Sequence, residues 1–111
     1  MRSSSFIAAS RPYTALDELL RALSHRERRL FVRACLVRQR AAGELAELSD
    51  LALATVSEHL KVLRKSGLLI LNKQGRSWLY STDRHLLRSA LRELALVNAP
   101  IADDSSSSSS H

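Results

Sequence analysis

A chain of 111 residues is long enough for one domain with a modest core, and 45% hydrophobic with 25% charged content excludes a wholly disordered protein. Lys and Arg number 17 against 11 Asp and Glu, a formal net charge of +6 that fits a polyanionic partner; most of the cations are Arg, whose planar guanidinium suits phosphate. The single cysteine excludes an intrachain disulfide and a four-cysteine metal cluster, and no apolar run approaches membrane-spanning length, so a cytoplasmic protein with no membrane partner is expected.

Residues 1–12 are Ser-rich and lack a helical period, so they are expected to be a flexible arm; the apolar run Phe6 to Ala9 is too short for a signal-peptide core. A folded domain is expected over 13–99, followed by a disordered tail over 100–111 that contains a Ser homopolymer. The first helix should run from about Thr14, as N-cap, to Leu23, with Leu16, Leu19, Leu20 and Leu23 on one stripe. Ser24 and Glu27 have capping-box spacing and should open a second helix. Its period through Leu30, Phe31, Ala34, Cys35 and Val37 runs to about Gln39. Arg26, Arg29 and Arg33 share the opposite face and read as solvated. Cys35 falls on the apolar stripe, where it reads as a small buried hydrophobe, and His25 reads as first-turn surface.

A short third helix, GELAEL, opens at Gly43 and ends near Ser49, with Asp50 as a turn residue and Leu51 as an anchor. The next stretch, ATVSEHLKVLRKSGLL, organises the rest. Val56, Leu60 and Leu63 recur at i, i+4, i+7, so one face packs inward. Thr55, Ser57, Glu58, Lys61, Arg64 and Lys65 lie opposite, side-chain types that read base edges and hold phosphates. Gly67 stops the helix. Two helices joined by a tight turn, the second presented to a groove, form a helix-turn-helix.

Leu68 to Asn72 and Ser77 to Ser81 read as two strands joined by Lys73, Gln74, Gly75 and Arg76, a hairpin with two cations near its tip. Trp78 and Tyr80 share one strand face and are expected to pack against the body. Thr82 or Asp83 should cap a last helix reaching about Asn98, stopped by Pro100. Leu86, Leu87, Ala90, Leu91, Leu94 and Val97 give that helix an apolar face too broad for so small a core, so pairing with a second copy is expected. An enzyme is not expected: His25, His59 and His85 fall on separate helices, and neither a Gly-rich phosphate loop nor a suited carboxylate pair is present.

This order of elements, with GELAELSDL, then ATVSEHLKVLRKSGLL, then QGRSWLY, resembles the winged-helix repressors of the ArsR/SmtB family over roughly Leu16 to Leu96. The resemblance implies a mainly α fold with a small β-hairpin wing, in the order α-α-α-α-β-β-α. It also implies a homodimer that regulates transcription, as a repressor, on double-stranded DNA with a two-fold operator. Base discrimination would fall to Thr55, Ser57 and Glu58, with His59 packing or touching backbone. Phosphate contacts would come from Lys61, Arg64, Lys65, Lys73 and Arg76, and dimerisation from Leu16, Leu20, Leu87, Leu91 and Leu94. Two departures stand out. Where the family places a Ser cap and a polar residue at the head of the recognition helix, this chain has Ala52, Leu53 and Ala54, more apolar than DNA usually wants; the alternative reading is a winged helix that docks a protein partner there without tight DNA binding. Where many members carry a Cys-x-Cys metal pair, this chain has Ala41 and Gly43. Asp83 and His85 match half of a second family metal site whose other half falls at Leu96 and Ala99, which cannot ligate. Neither a metal, nor a thiol effector, nor any cofactor is therefore expected.

Overall fold

Apolar stripes at helical spacing decide which side of each helix turns inward. The computed structural model of the chain describes residues 15–101; the expected arm over 1–12, the Thr14 cap and the tail from residue 102 onward lie outside them. Residues 15–22 are helical (α1), followed by α2 Arg26–Val37, α3 Ala42–Ser49, α4 Leu53–Ser66, β1 Leu69–Gln74, β2 Ser77–Thr82 and α5 Arg84–Ala95, which runs into a 3-10 turn, Leu96–Asn98. This is the mainly α winged helix-turn-helix order. One core unites Leu19 and Ala22 of α1, Phe31, Val32, Ala34 and Cys35 of α2, Leu45 of α3, Val56, Leu60 and Leu63 of α4, and Leu68 and Leu69 at the base of the hairpin.

The corner between α1 and α2 departs from the capping-box expectation. Ser24 does not cap α2; its hydroxyl turns back and donates to the Arg21 carbonyl at 2.6 Å. His25 is the N-cap residue and makes no side-chain cap bond. The last carbonyls of a helix lack intrahelical partners, and Ser24 lies within reach of one of them. Arg29 Nη1 donates to another such acceptor, the Leu23 carbonyl, at 2.6 Å.

Helix α2 ends at Val37 rather than near Gln39. Arg38 is extended, and Arg40 pairs with β2: its N–H donates to the Tyr80 carbonyl at 3.0 Å and its carbonyl accepts from the Tyr80 N–H at 2.8 Å. Two backbone bonds to the sheet replace the bonds that one more helical turn would have made. Helix α3 begins at Ala42, where the Glu44 carboxylate accepts from the Ala41 N–H at 2.8 Å, and ends on Asp50 in the left-handed region, φ 62°. Short polar side chains tolerate that conformation better than most, and here it makes the sharp turn into α4.

Helix α4 closes on Gly67 at φ 91°, with the basic residues Arg64 and Lys65 in its last turn, where they complement the helix dipole. The hairpin follows at once, with Leu69 opposite Thr82, Leu71 opposite Tyr80 and Lys73 opposite Trp78. Along this face burial falls from base to tip: Leu69 and Thr82 are buried, Leu71 and Tyr80 half-buried, Lys73 and Trp78 exposed. The Thr82 hydroxyl donates to the Val32 carbonyl at 2.9 Å, and the Asp83 N–H to the Leu68 carbonyl at 2.9 Å, fixing the base. Of the two aromatic residues expected to pack on the body, only Tyr80 rests on the core; Trp78, two residues nearer the tip, is 53% exposed and lies against the Lys73 ammonium.

Asp83, rather than Thr82, caps α5, its Oδ1 accepting from the Leu86 N–H at 3.1 Å. No residue of α5 is buried. Leu86, Leu87 and Ala90 rest on the core from one side, while Leu91, Leu94, Leu96 and Val97 are exposed.

Gly67 combines a positive φ with a tight neighbour: a Cβ there would meet Leu86 Cδ2 at 3.0 Å. Gly67→Ala is expected to lower stability by about 1–2 kcal/mol, the usual cost of a left-handed L-residue. Thermal unfolding should show a lower Tm by several degrees; an unchanged Tm would mean that α4 ends in another conformation.

Candidate nucleic-acid interface

The buried stripe Val56, Leu60, Leu63 turns the rest of α4 outward. Thr55, Ser57, Glu58, Lys61, Arg64 and Lys65 are all exposed. Lys61 Nζ lies 3.9 Å from Glu58 Oε2 with both side chains 74% exposed, an ion pair that solvent screens heavily. The head of the helix is apolar: Ala52, Leu53 and Ala54 are exposed, Leu53 at 55%, and Ala52 makes no side-chain cap bond.

The wing is longer than expected and its turn shorter. Pairing of Gln74 with Ser77 draws Lys73 and Gln74 into β1 and leaves Gly75 and Arg76 as a two-residue turn. Positive φ falls on the first turn residue, Gly75 at 62°, the position at which a type II′ turn requires glycine. Arg76 therefore occupies the tip. Lys73 is set back, with its ammonium 5.3 Å from the centroid of the Trp78 ring. Gln74 Nε2 donates to Gln39 Oε1 at 3.2 Å, a second tie between the wing and the segment that carries Arg40.

Among the expected contact residues, the structure brings Thr55, Glu58 and His59 to one groove of about 370 Å³, shared with Ala54, Val62 and Arg28 of α2. Lys65 lines an adjoining groove, which shares Val62 with the first, together with Glu18 and Arg21 of α1. Lys73 and Arg76 stand on the wing, which is joined to the C-terminal end of α4 by the short link Gly67–Leu68. Arg26, Arg29 and Arg33 line a third groove, between α2 and α3, with Leu30 and Leu48 as its apolar floor.

His59 does not face outward with its neighbours. It is half-buried, 6.3 Å from the Phe31 ring and 5.4 Å from the His25 ring, and its Nδ1 accepts from Arg28 Nε at 3.0 Å. Burial pushes its pKa below the ordinary histidine value, and the cationic Arg28 and neighbouring His25 push the same way against Glu27. Arg28 was not among the expected site residues. The signal for it lies in the α2 period, since Arg28, Phe31, Val32 and Cys35 stand at i, i+3, i+4, i+7, which puts a cation on the core-facing stripe.

Glu44, which holds the start of α3, has its pKa lowered by the Ala41 N–H it accepts from, with further help from the Arg38 guanidinium 3.4 Å away. Cys35 is buried, and burial raises its thiol pKa to about 11 against a weaker opposing pull from Arg40.

Residues 32–70, from mid-α2 into β1, match the profile described as bacterial regulatory protein, arsR family. An ArsR-like transcriptional regulator from Rhodococcus sp. RHA1 has the same fold, with a TM-score of 0.71 at 25% identity over 78% of this chain and 82% of that one. The cadmium metal-sensor CMTR from Mycobacterium tuberculosis is 37% identical over 80% of this chain and 92% of its own, with a TM-score of 0.58. The chain belongs to the arsR family. HlyU from Vibrio cholerae N16961, at 23% identity and a TM-score of 0.63 over 81% of this chain and 97% of that one, shares the fold. No curated protein sequence matches the chain. As an arsR-family protein the chain is a winged helix-turn-helix regulator of transcription and not an enzyme. Among the described residues, no helix is long and apolar enough to cross a membrane.

A metal-sensing relative raises the question of a donor set in this chain. Among the described residues, no three His, Cys, Asp or Glu side chains gather to hold an ion. Asp83 Oδ1 accepts from the Leu86 N–H, and the positions corresponding to the family thiol pair are Ala41 and Gly43, neither of which can ligate through its side chain. At the two family sites the side chains supply no thiolate, and only Asp83 and His85 could ligate.

At pH 8 a thiol with a pKa of about 11 is roughly one part in a thousand thiolate, the form that alkylates. Native protein is expected to resist iodoacetamide at that pH while guanidinium-unfolded protein reacts within minutes, as followed by intact mass. Equal rates in the two states would place Cys35 outside the core.

Proposed function

We propose that this arsR-family regulator acts as a homodimeric repressor on a two-fold operator, with α4 in the major groove and the wing over the flanking backbone. The observation that carries this reading is the division of α4. Three fully buried apolar side chains on one side leave two hydroxyls, a carboxylate and three cations exposed on the other. Thr55, Ser57 and Glu58 would read base edges; Lys61, Arg64, Lys65, Lys73 and Arg76 would hold phosphates. The exposed row Leu91, Leu94 and Val97 supports a second copy packing along α5, joined by Leu87 and by Leu16 and Leu20 of α1, of which Leu20 is 41% exposed. With Ala41 and Gly43 at the positions of the family thiol pair, the signal that releases the protein from DNA would be something other than a soft metal held there.

Selection of bound duplexes from a random pool tests the reading directly, and an inverted repeat is the expected product. Arg64→Ala with Arg76→Ala should weaken binding to every duplex and reduce the slope of log K against log salt by about two, near 0.9 for each lost phosphate contact. An unaltered slope would remove both residues from the interface. Leu91→Glu with Leu94→Glu should give a folded monomer by sedimentation equilibrium; a persistent dimer would move the interface off α5. The exposed Ala52, Leu53 and Ala54 favour a second reading, a winged helix that docks a protein instead of DNA. Absence of any gel shift even at low salt would select it.

A further inference from the structure

The chain needs α4 held at a fixed angle, yet its head lacks a side-chain cap and ends in exposed apolar residues. What grips the middle of α4 from outside is a small polar cluster. Arg28 Nε donates to His59 Nδ1 at 3.0 Å, while its Nη1 lies 3.4 Å from the carbonyls of Arg21 and Ala22, at the end of α1. One guanidinium thus touches two helices other than its own. Its charge also suits the negative end of the α1 dipole. We propose that Arg28 and His59 form a latch that sets the recognition helix against the end of α1, and that the latch opens when His59 takes a proton. The proposal rests on the reading of α4 as the DNA-facing helix.

The chemistry of opening is direct. With Nδ1 as acceptor, the neutral ring carries its proton on Nε2. A second proton must go on Nδ1, where it would meet the Arg28 N–H: two donors and two positive charges facing each other at 3.0 Å. His25 lies 5.4 Å away between ring centroids and also opposes a charge on His59. The acidic groups nearby are Glu27 on α2 and Glu58 across the groove, and Glu58 is already paired with Lys61. Phe31 offers the ring nothing polar. Because the folded state disfavours the protonated ring, the latch contributes stability in full above about pH 6.5. That contribution is lost as pH falls below that value and through the lower folded-state pKa. Arg28 is in this account a positioning residue. Since α1 bears Leu16 and Leu20, the latch also ties a helix of the proposed dimer contact to the helix of the proposed DNA contact.

The first test uses the protein alone. In an NMR pH titration of the full chain, the His59 imidazole should titrate below 6.5, and Arg28→Ala should move its midpoint up toward the ordinary value; an unmoved midpoint overturns the latch. The second test uses a fluorescein-labelled duplex recovered by the selection above. His59→Asn, whose Oδ1 replaces Nδ1 as an acceptor without titrating, should have an affinity that does not change as pH falls. Below the His59 midpoint that the titration gives, and relative to their ratio at pH 7.5, the parent should lose roughly five- to tenfold in affinity against His59→Asn, the worth of one or two lost hydrogen bonds. Parallel pH profiles would overturn the proposal. Arg28→Ala should lose affinity with an unchanged salt slope; a slope reduced by about one would make Arg28 a phosphate contact instead. Should the parent bind no DNA at all, the DNA-binding reading fails, and the titration still decides whether the latch exists.

Discussion

Complete burial of Val56, Leu60 and Leu63 is the constraint on which the rest depends. Each side chain removed from water contributes about 1.5–3 kcal/mol, and together they match much of the net stability of a small domain. No surface charge on α4 competes with that: the Glu58–Lys61 pair contributes well under about 1 kcal/mol. The rotation of the helix about its axis is therefore set from inside. Its outward face can carry whatever hydroxyls and cations a target demands without changing how the helix sits.

The wing is organised by the same principle, with burial graded along it. Leu69 and Thr82 belong to the core, Leu71 and Tyr80 to its margin, and Lys73 with Trp78 to the surface. Base and tip thus have different mechanics. The buried base is held by the Thr82 hydroxyl bond to α2, while the Gly75–Arg76 tip is steadied by its partner strand, the Lys73–Trp78 contact and the Gln74–Gln39 bond. A hairpin of this kind delivers a cation to a variable surface from a rigid root.

Much of this was legible in the sequence because it follows from local periodicity. The stripes of α1, α2 and α4, the stop at Gly67 and the hairpin around Gly75 need only the spacing of apolar residues and the conformational freedom of glycine. What was not legible depends on partners distant in the chain. Ser24 had the spacing of a cap, but its hydroxyl turns the other way and donates to the Arg21 carbonyl at the end of α1. Helix α2 stops short because Tyr80, forty residues away, offers Arg40 a strand partner. Trp78 has the pattern of a packing residue, but it lies exposed against the Lys73 ammonium. Arg28 and His59 each sit on an apolar stripe, and periodicity shows that much; that the two stripes meet there is a tertiary fact. The apolar head of α4 and the family positions occupied by Ala41 and Gly43 were plain from the residues themselves.

The pairing of Arg40 with Tyr80 has a consequence for how this chain tolerates change in length. Because that single residue belongs to the α2–α3 connection and to the sheet at once, adding or deleting a residue there would shift the register of the connection against β2. Its side chain would be carried away from the Ala34 carbonyl, which it reaches at 3.1 Å. The hairpin turn bears no such double duty. Indels that accumulate during divergence should therefore collect beyond Gln74 and be purged between Val37 and Ala42.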